Sequence, residues 1–467
     1  MILSKILTFL NWFILWYFII LSMGYIILLI SSMPDILKRF KEADIGNINS
    51  LMSSLTLPPV TVIIPAFNEE GNILDTIDSI IKCRYPNIFI IIVNAGSTDN
   101  TLQKLIDTYQ LEKLTPILQN NIKTMDECRG FYISQIFNHI TVLDKPTRDK
   151  SDALNMGLNA CRTPLFLTVD ADTLVEPEAI SSIVFYMLSH PNAIAVGGAV
   201  YILNGCTFKD GQIIEEKMSL NPIYAFQTCD YLRSFLFNRS GWNNLGGALC
   251  YAGAFTLFKL QPVIDLGGYK LHNLSQDFEI ITHLHARQRE NKTSYQIRYT
   301  PSAAVWTDVP GTLRGYWRQR YNWQYHTLQS LMPYIRMCFN PKYGIIGMFT
   351  YPFYLFWETL GAIVEFIAYL SILLSWYLGT LNLTWTFLFF VVCWGFSIFL
   401  TMATTLMNSI TFNKYGRISD ILWIFFYSAI EVFGFRQFNV VCRVVATFNY
   451  FLDHFKFWGT KKVEEGV

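Results

Sequence analysis

The chain has 467 residues, of which 52% are hydrophobic and 15% charged, and its mean hydropathy is +0.29. This composition is too apolar for an ordinary water-soluble protein and predicts a bilayer protein that carries a soluble lobe. A net charge of +1 gives no reason to expect nucleic acid as a partner. Nine cysteines without ligand-like spacing indicate neither a zinc site nor a disulfide framework.

The N-terminal segment predicts a membrane-spanning helix. An uncharged apolar run extends from about Leu7 to about Ile30, which is long enough to cross the hydrocarbon core. It is too long for the apolar part of a signal peptide, and no small-x-small cleavage site follows it. Only Lys5 precedes the run, whereas Lys38, Arg39 and Lys41 follow it. The positive-inside rule therefore predicts that the next part of the chain is cytosolic.

The segment that follows alternates short apolar runs with longer mixed stretches. The runs are rich in β-branched residues and bounded by turn formers, which is typical of buried strands. The predicted strands are 60–64, 89–93, 165–169 and 194–200, and helical spacing is found at 69–82 and 99–109. This alternation predicts an α/β lobe with a parallel-rich sheet between helices. Ligands are expected at the carboxyl ends of its strands.

The remainder of the chain is predicted to return to the membrane. Residues 311–333 are rich in Trp, Tyr and Arg, which is typical of an amphipathic stretch at the membrane surface. Apolar spans follow at about 345–378, 385–407 and 421–435. We therefore divide the chain into an N-terminal helix with its connector (1–57), a cytosolic lobe (58–310), interfacial helices (311–343) and a C-terminal membrane region (344–467).

The number of C-terminal spans is left at three to four by the distribution of charge. Three passes would place the tail outside, whereas the basic residues of this region favour the inside; these are Arg436, Arg443, Lys456, Lys461 and Lys462. One span is therefore expected to be re-entrant or split. Glu358 and Glu365 lie within the first of these spans, where they could line a polymer channel or form hydrogen bonds between helices.

An Asp-x-Asp sequence follows the predicted strand at 165–169. In an extended segment the side chains of Asp170 and Asp172 point the same way, so both carboxylates can face one hard cation and the phosphates that it bridges. A divalent cation at this position would neutralise a diphosphate leaving group. Two aspartates at this spacing also arise by chance, so the tripeptide alone is a weak indication.

The indication of a cation site becomes specific because several further motifs occur along the chain in a fixed order. Together they resemble the motifs of family 2 glycosyltransferases, in particular the processive membrane synthases of poly-N-acetylglucosamine, hyaluronan, chitin and cellulose. The resemblance covers about residues 58–330. It comprises VIIPAFNEE at 62–70, NAGSTD at 94–99, KSDALN at 150–155, VDADT at 169–173, GAF at 253–255, SQD at 275–277 and QRYNW at 319–323. The resemblance implies a GT-A type nucleotide-sugar-binding domain with N- and C-terminal transmembrane helices.

The resemblance also implies roles for individual residues. Asp170 and Asp172 would hold Mg²⁺ or Mn²⁺ together with the diphosphate, and Asp277 would be the general base that takes the proton of the acceptor hydroxyl. The residues expected to bind the nucleotide sugar are Pro65, Phe67, Glu69, Asn94, Lys150, Asp170, Gln319 and Arg320. Asp277 alone is explained as well by capping the helix that begins there, since aspartate is a common N-cap.

The acceptor is expected to meet Gly253 and Trp323. An indole face against the apolar face of a sugar ring buries area without directional bonds, which suits a polymer that slides by one unit per cycle. Trp323 lies in a stretch with several aromatic residues, so anchoring at the membrane interface is the alternative explanation.

Two positions depart from the family pattern. Ala95 occupies the place of the aspartate that bonds the uracil base, and Asn322 that of the arginine before Trp323. The second change removes one cation from the diphosphate site, for which Arg318 or Arg320 could compensate. We therefore expect these two departures to affect the choice of nucleotide and the rate of catalysis.

Three hypotheses of function follow. The first is an inverting, processive synthase that transfers a sugar, expected to be N-acetylglucosamine from UDP-N-acetylglucosamine, to a growing β-linked polysaccharide with coupled export. The second is a single-transfer enzyme with a lipid-linked acceptor, and the third a catalytically degenerate member that senses nucleotides or assists assembly. The expected partners are the donor, the acceptor, membrane lipids and accessory export subunits. The expected location is the inner cell membrane, with several passes and a cytosolic catalytic domain.

Overall fold

The computed structural model describes residues 2–41, 57–116, 118, 119 and 121–464. Twelve strands are found among them, and ten of these form one sheet. The strands are β1 (Val60–Ala66), β2 (Ile88–Ala95), β3 (Leu111–Leu114), β4 (Gly130–Ser134), β5 (Ile140–Lys145), β6 (Leu165–Val169), β7 (Thr173–Val175), β8 (Ala193–Ile202), β9 (Thr207–Lys209), β10 (Gln212–Glu215), β11 (Phe255–Lys259) and β12 (Gln296–Thr307).

The large sheet is mixed, with the order β3-β4-β5-β2-β1-β6-β11-β8-β12-β7. Its central strands β5, β2, β1 and β6 run parallel to one another. Strand β11 is antiparallel to both of its neighbours, β6 and β8. The predicted strands are confirmed, and the parallel arrangement holds for the centre of the sheet. Antiparallel partners at β3, β4, β7 and β11 complete it.

Helices cover the sheet and continue into the rest of the chain. They are α1 (Ile2–Lys41), α2 (Ile73–Ile81), α3 (Thr101–Tyr109), α4 (Lys150–Ala160), α5 (Ala179–Leu188), α6 (Pro222–Leu232), α7 (Arg239–Leu245), α8 (Leu260–Ile264), α9 (Gln276–Glu290), α10 (Leu313–Leu331), α11 (Gly361–Tyr377), α12 (Leu383–Phe390), α13 (Phe396–Thr411), α14 (Ile418–Ile430) and α15 (Phe435–Glu464). Helix α4 lies close against β1 and β2, because Gly157 faces the side chains of Ile63 and Val93. This close packing positions the first turn of α4 at the carboxyl edge of the sheet.

Helices α6 and α7 are joined by a π-helical turn, Arg233–Asn238, and pack between the membrane helices and strands β8 and β12 of the sheet. Gly241 of α7 touches the backbone of Leu28 in α1. The amide of Asn244 donates to the carbonyl oxygen of Ser31 at 2.7 Å. The lobe is therefore joined to α1 through side chains that belong to the predicted cytosolic segment.

Three helical stretches are long and apolar enough to cross a membrane, namely Ile6–Pro34, Ile346–Tyr377 and Leu383–Thr411. A fourth candidate is the pair Ile418–Ile430 and Phe435–His454, which is bent by 60° at its break. The predicted spans at 7–30, 345–378 and 385–407 agree with these three stretches by length and composition, whereas the one at 421–435 falls in the bent pair. The bent pair matches the expectation of a re-entrant or split segment.

Candidate active site at the carboxyl edge of the sheet

The loops that follow β1 and β2 are joined by reciprocal hydrogen bonds. Asn68 adopts a left-handed backbone conformation, with φ of 55°. Its side-chain oxygen accepts from the backbone N–H of Thr98 at 2.7 Å. The N–H of Glu70 in turn donates to the Asp99 carboxylate at 3.1 Å. These bonds fix the loop that carries Glu69 at the edge where ligands bind to such sheets.

The Phe67 ring contacts an arginine side chain that no sequence motif indicated. The guanidinium of Arg148 lies 4.0 Å from the centroid of this ring, a distance typical of a cation–π contact. Arg148 belongs to the loop before α4, and no motif marks it. The flat face of Phe67 is therefore covered by Arg148 in this structure.

Asn94 is buried at the end of β2, beside Asp144 on the neighbouring strand. Its amide nitrogen donates to the Asp144 carboxylate at 2.7 Å, and Arg129 donates to the other carboxylate oxygen at 2.7 Å. The structure thus gives Asn94 a partner within the sheet. Ala95, at the position of the expected base-binding aspartate, is buried and adds no polar group.

Lys150 meets the Asp-x-Asp sequence across the carboxyl edge. Helix α4 begins after Asp149, whose side chain caps it by accepting from the N–H of Asp152 at 2.8 Å. This places Lys150 in the first turn, with its Nζ 2.6 Å from Asp170 Oδ1. Burial opposes a charged amine, but the carboxylates of Asp170, Asp277 and Asp172 outweigh it and raise the pKa of Lys150. The lysine is therefore a permanent cation here.

Asp172 lies near other carboxylates, whose negative charge Lys150 balances only in part. Burial, followed by repulsion from Asp170 and Glu69, raises the pKa of Asp172 to about 7. Burial is likewise the main cause that raises the pKa of Glu69, with further repulsion from Asp170. Such repulsion between hard oxygen ligands is what a divalent cation relieves, so the residues fit Mg²⁺ or Mn²⁺. No group of three or more candidate ligands occurs in the described part of the chain, so Asp170 and Asp172 are the residues that would hold the ion.

Asp277 lies in the first turn of α9, where Ser275 is the N-cap residue. The backbone of Gly253 lies against the Asp277 carboxylate, and its N–H favours the ionised form and so lowers the pKa of Asp277. A side chain at Gly253 would collide with that carboxylate, so glycine permits the contact. Burial and the charge of Asp170 raise the pKa of Asp277 to about 6, while Lys150 opposes the shift. The carboxylate therefore has an accessible protonated form near neutral pH, as a general base requires.

Helix α10 carries the predicted acceptor residues. The Trp323 ring is 42% exposed, and the Arg320 guanidinium lies 4.4 Å from its centroid. Arg320 pairs with Asp230 of α6 at 2.9 Å, a partner that the sequence did not reveal. Gln319 Oε1 and two nitrogens of Arg320 have no hydrogen-bond partner among the described residues. The expected contact of Gln319 and Arg320 with the diphosphate stays a prediction.

The structure brings together six of the predicted residues through contact or through mutual electrostatic influence: Glu69, Lys150, Asp170, Asp172, Gly253 and Asp277. Ser275 occupies the N-cap position of α9 without a side-chain cap hydrogen bond, so Asp277 is not the N-cap residue, and its carboxylate lies against Gly253 instead. These residues at the carboxyl edge of the sheet, which we call the crevice, thus combine one lysine, two carboxylates close in sequence and a separate carboxylate with a raised pKa.

A mannosyltransferase of Pyrobaculum calidifontis, solved with GDP-mannose and Mn²⁺, has a similar fold, with a TM-score of 0.50 at 17% identity, covering 88% of this chain and 98% of that one. The lobe therefore has a GT-A type fold. Residues 165–407 match the family described as Glycosyl transferase family group 2, and residues 61–122 match Glycosyl transferase family 2. The chain belongs to the group 2 family of glycosyl transferases, and it is a glycosyltransferase.

Curated relatives narrow the comparison further. The poly-β-1,6-N-acetyl-D-glucosamine synthase of Staphylococcus aureus is 28% identical over 267 residues, which is 57% of this chain and 54% of that protein. The enzyme of the same name from Staphylococcus epidermidis is 26% identical over 268 residues, or 56% of this chain and 53% of that protein. The chain thus spans about half the length of the curated relatives that it matches.

Proposed function

We propose that this protein transfers N-acetylglucosamine from UDP-N-acetylglucosamine to a growing β-linked polysaccharide, with inversion, and assists export of the product across the cell membrane. The observation that carries the proposal is the convergence of Asp277 with Lys150 and Asp170. The likeness to the staphylococcal synthases supports the choice of sugar. The candidate spans support a membrane location, and the basic residues at the C-terminal end of α1 favour a cytosolic lobe.

In the proposed reaction, an acceptor hydroxyl attacks the anomeric carbon of the donor from the face opposite the diphosphate. Its proton passes to the Asp277 carboxylate, while the bond between the anomeric carbon and the diphosphate oxygen breaks and UDP leaves. Lys150 balances negative charge beside Asp170 throughout. A Mg²⁺ or Mn²⁺ ion held by Asp170 and Asp172 would supply the remaining neutralisation of the diphosphate. Trp323 offers an aromatic face for the acceptor sugar.

Turnover by the purified full chain tests this proposal. UDP release from UDP-N-acetylglucosamine with Mg²⁺ or Mn²⁺ is measured for the wild type and for Asp277→Asn. We expect the variant to lose about 10³-fold in turnover, because general base catalysis contributes about 10²–10⁴-fold. Asp107→Asn is the matched control, since Asp107 is an exposed residue of α3. Equal activity in wild type and Asp277→Asn contradicts the assignment of the base.

The size of the product separates the proposed polymerase from a single-transfer enzyme. A labelled donor incorporated into material of high molecular mass supports a polysaccharide product, whereas one sugar on a lipid would contradict it. Absence of turnover with every nucleotide sugar tested would favour the degenerate alternative. Accessory export subunits remain a proposal that co-purification from the native membrane would test.

A further inference from the structure

Residues 272–275 form a short loop that leads directly into α9 and so into Asp277. Ser275, the N-cap residue of α9, makes no hydrogen bond from its side chain to the first turn. The first N–H groups of a helix have no partner within the helix, and a capping side chain normally holds them. The place of Asp277 in that turn therefore depends on the contacts of the loop with other elements.

The first turn of α4 holds one side of this loop. The N–H of His272 donates to the Asp149 carboxylate at 3.0 Å. The hydroxyl of Ser151 donates to the carbonyl oxygen of Asn273 at 3.1 Å. Asp149 and Ser151 flank Lys150, the lysine of the crevice. The backbone of the loop is thus joined to the turn that carries this lysine.

The last turn of α10 holds the other side of the loop. Asn273 is 3% exposed, and its side-chain nitrogen donates to the hydroxyl oxygen of Ser330, a buried residue of α10, at 2.9 Å. The side-chain oxygen of Asn273 accepts from the N–H of Ser275 at 2.9 Å. The Ser330 hydroxyl also lies 3.5 Å from the carbonyl oxygen of Ser275. A single amide group therefore connects α10 to the N-cap residue of α9.

Ser330 and Trp323 lie on the same side of α10. They are seven residues apart, which is two helical turns or about 10 Å along the axis. In the proposed reaction, Trp323 offers its aromatic face to the acceptor sugar. Because a helix is a rigid element, a shift of α10 at Trp323 also moves Ser330. The hydrogen bonds of Asn273 then pass this shift to the first turn of α9.

We infer that Asn273 is a positioning residue that sets the Asp277 carboxylate relative to α10, an inference that rests on the proposed function. The bond from Ser151 reaches the backbone of Asn273, so it remains when the side chain is removed. The bonds to Ser275 and Ser330 are made by the amide group and are lost. Removal of this amide should therefore slow transfer and leave the donor site intact.

Turnover and donor-site affinity in Ser330→Ala and Asn273→Ala test this inference. UDP release from UDP-N-acetylglucosamine by the purified full chain gives kcat, and titration with UDP gives its Kd. We expect kcat to fall about tenfold in each variant, which is the effect of one lost buried hydrogen bond. The Kd for UDP should stay within about twofold of the wild type, because the contact of Lys150 with Asp170 is unchanged. A wild-type kcat in both variants, or an equal loss of kcat and UDP affinity, would overturn the inference.

A double variant and a matched control separate positioning from a general loss of stability. Ser330→Ala/Asn273→Ala should be no slower than Asn273→Ala, because both changes remove the same hydrogen bond. Ser428→Ala is the control, since Ser428 is as fully buried as Ser330 and its hydroxyl bonds within its own helix, at the carbonyl oxygen of Phe425. Losses that multiply in the double variant, or a control as slow as Ser330→Ala, count against the inference.

Hydrogen exchange tests the connection between α9 and α10 without turnover. Amides 275–279 should exchange about tenfold faster in Ser330→Ala than in the wild type, whereas those of 150–156 should be unchanged. Equal exchange at 275–279 in the two proteins would overturn the inference. Wild-type turnover that neither variant slows rejects the positioning role alone. Faster exchange in a chain that consumes no UDP-N-acetylglucosamine rejects the proposed reaction and leaves the connection between the two helices.

Discussion

The crevice at the sheet edge and the ion pairs among the membrane helices both contain several charged side chains, but these charges are arranged in opposite ways. In the crevice, carboxylates gather around one lysine, and repulsion among them contributes to raising the pKa values of Asp172 and Asp277. Among the membrane helices, arginines and glutamates form pairs such as Arg436 with Glu365. Like charges held close together favour binding of a cation or a proton, whereas paired opposite charges join neighbouring helices.

The variant with the largest expected effect on the crevice alters the contact between Gly253 and Asp277. In Gly253→Ala the new methyl group would collide with the carboxylate and displace it. We expect turnover to fall about 10²-fold with the fold intact, since a displacement of about 1 Å at a reacting group has that effect. UDP release measures the loss. Gly395→Ala is the control, because a methyl group there meets nothing within 4 Å, and similar losses in both variants would contradict the argument.

Breaking an ion pair among the membrane helices should act on stability instead. Glu365→Gln replaces a buried carboxylate and leaves the partly buried Arg436 guanidinium without its anion. We expect the free energy of unfolding to fall by about 3–5 kcal/mol, which thermal unfolding in detergent would detect. The double variant Glu365→Leu/Arg436→Met should recover most of this loss, because no unpaired charge remains. A single variant as stable as the wild type would refute the pairing.

The pH dependence of kcat/KM and of stability gives a further test of the role of Asp277. Asp277 must be ionised to accept a proton, and its pKa is about 6. We expect kcat/KM to rise about tenfold per pH unit below that value and to level off above it. The same raised pKa means that ionisation destabilises the fold, so stability contributed by the protonated form is lost as pH rises through about 6. Stability measurements on Asp277→Asn should lack that loss, and a profile flat from about pH 5 to about pH 7 would argue against this base.

The smallest effect is expected at an exposed pair on the lobe. Arg84 and Glu178 are 2.7 Å apart, with 68% and 32% of their side chains exposed. Solvent screens such a pair, so Glu178→Gln should change the free energy of unfolding by less than about 1 kcal/mol. Thermal unfolding measured beside Glu365→Gln gives the contrast. A loss as large as that of Glu365→Gln would remove the distinction between buried and exposed pairs.

The sequence predicted those parts of the site that depend on contiguous residues. The strand 165–169 and the adjacent Asp170 and Asp172 form one local pattern, so their place at the sheet edge followed from alternation alone. The contact between Gly253 and Asp277 joins different elements, and only the resemblance indicated that both matter. Asp230 and Arg148 lie in no motif, and their partners Arg320 and Phe67 are distant in the chain.

The insertion of α6 and α7 among the spans could not be predicted from hydropathy. Residues 222–245 contain several polar and charged side chains and no long apolar run. Their burial depends on partners from other elements, such as Glu431 for Arg233 and Leu28 for Gly241. The mixed strand directions of the sheet could not be predicted either. Strand β11 is antiparallel to β6 and β8, and this direction depends on where the chain re-enters the sheet after α7.

The docking of α7 on α1 has a practical consequence for dissecting the protein. A fragment trimmed to the lobe would expose the faces of α6 and α7 that now touch membrane helices, including the surface around Gly241. Such a fragment would tend to aggregate, because contiguous apolar patches of that kind attract one another in water. Biochemical work on catalysis is therefore best done with the intact chain in a lipid-like environment.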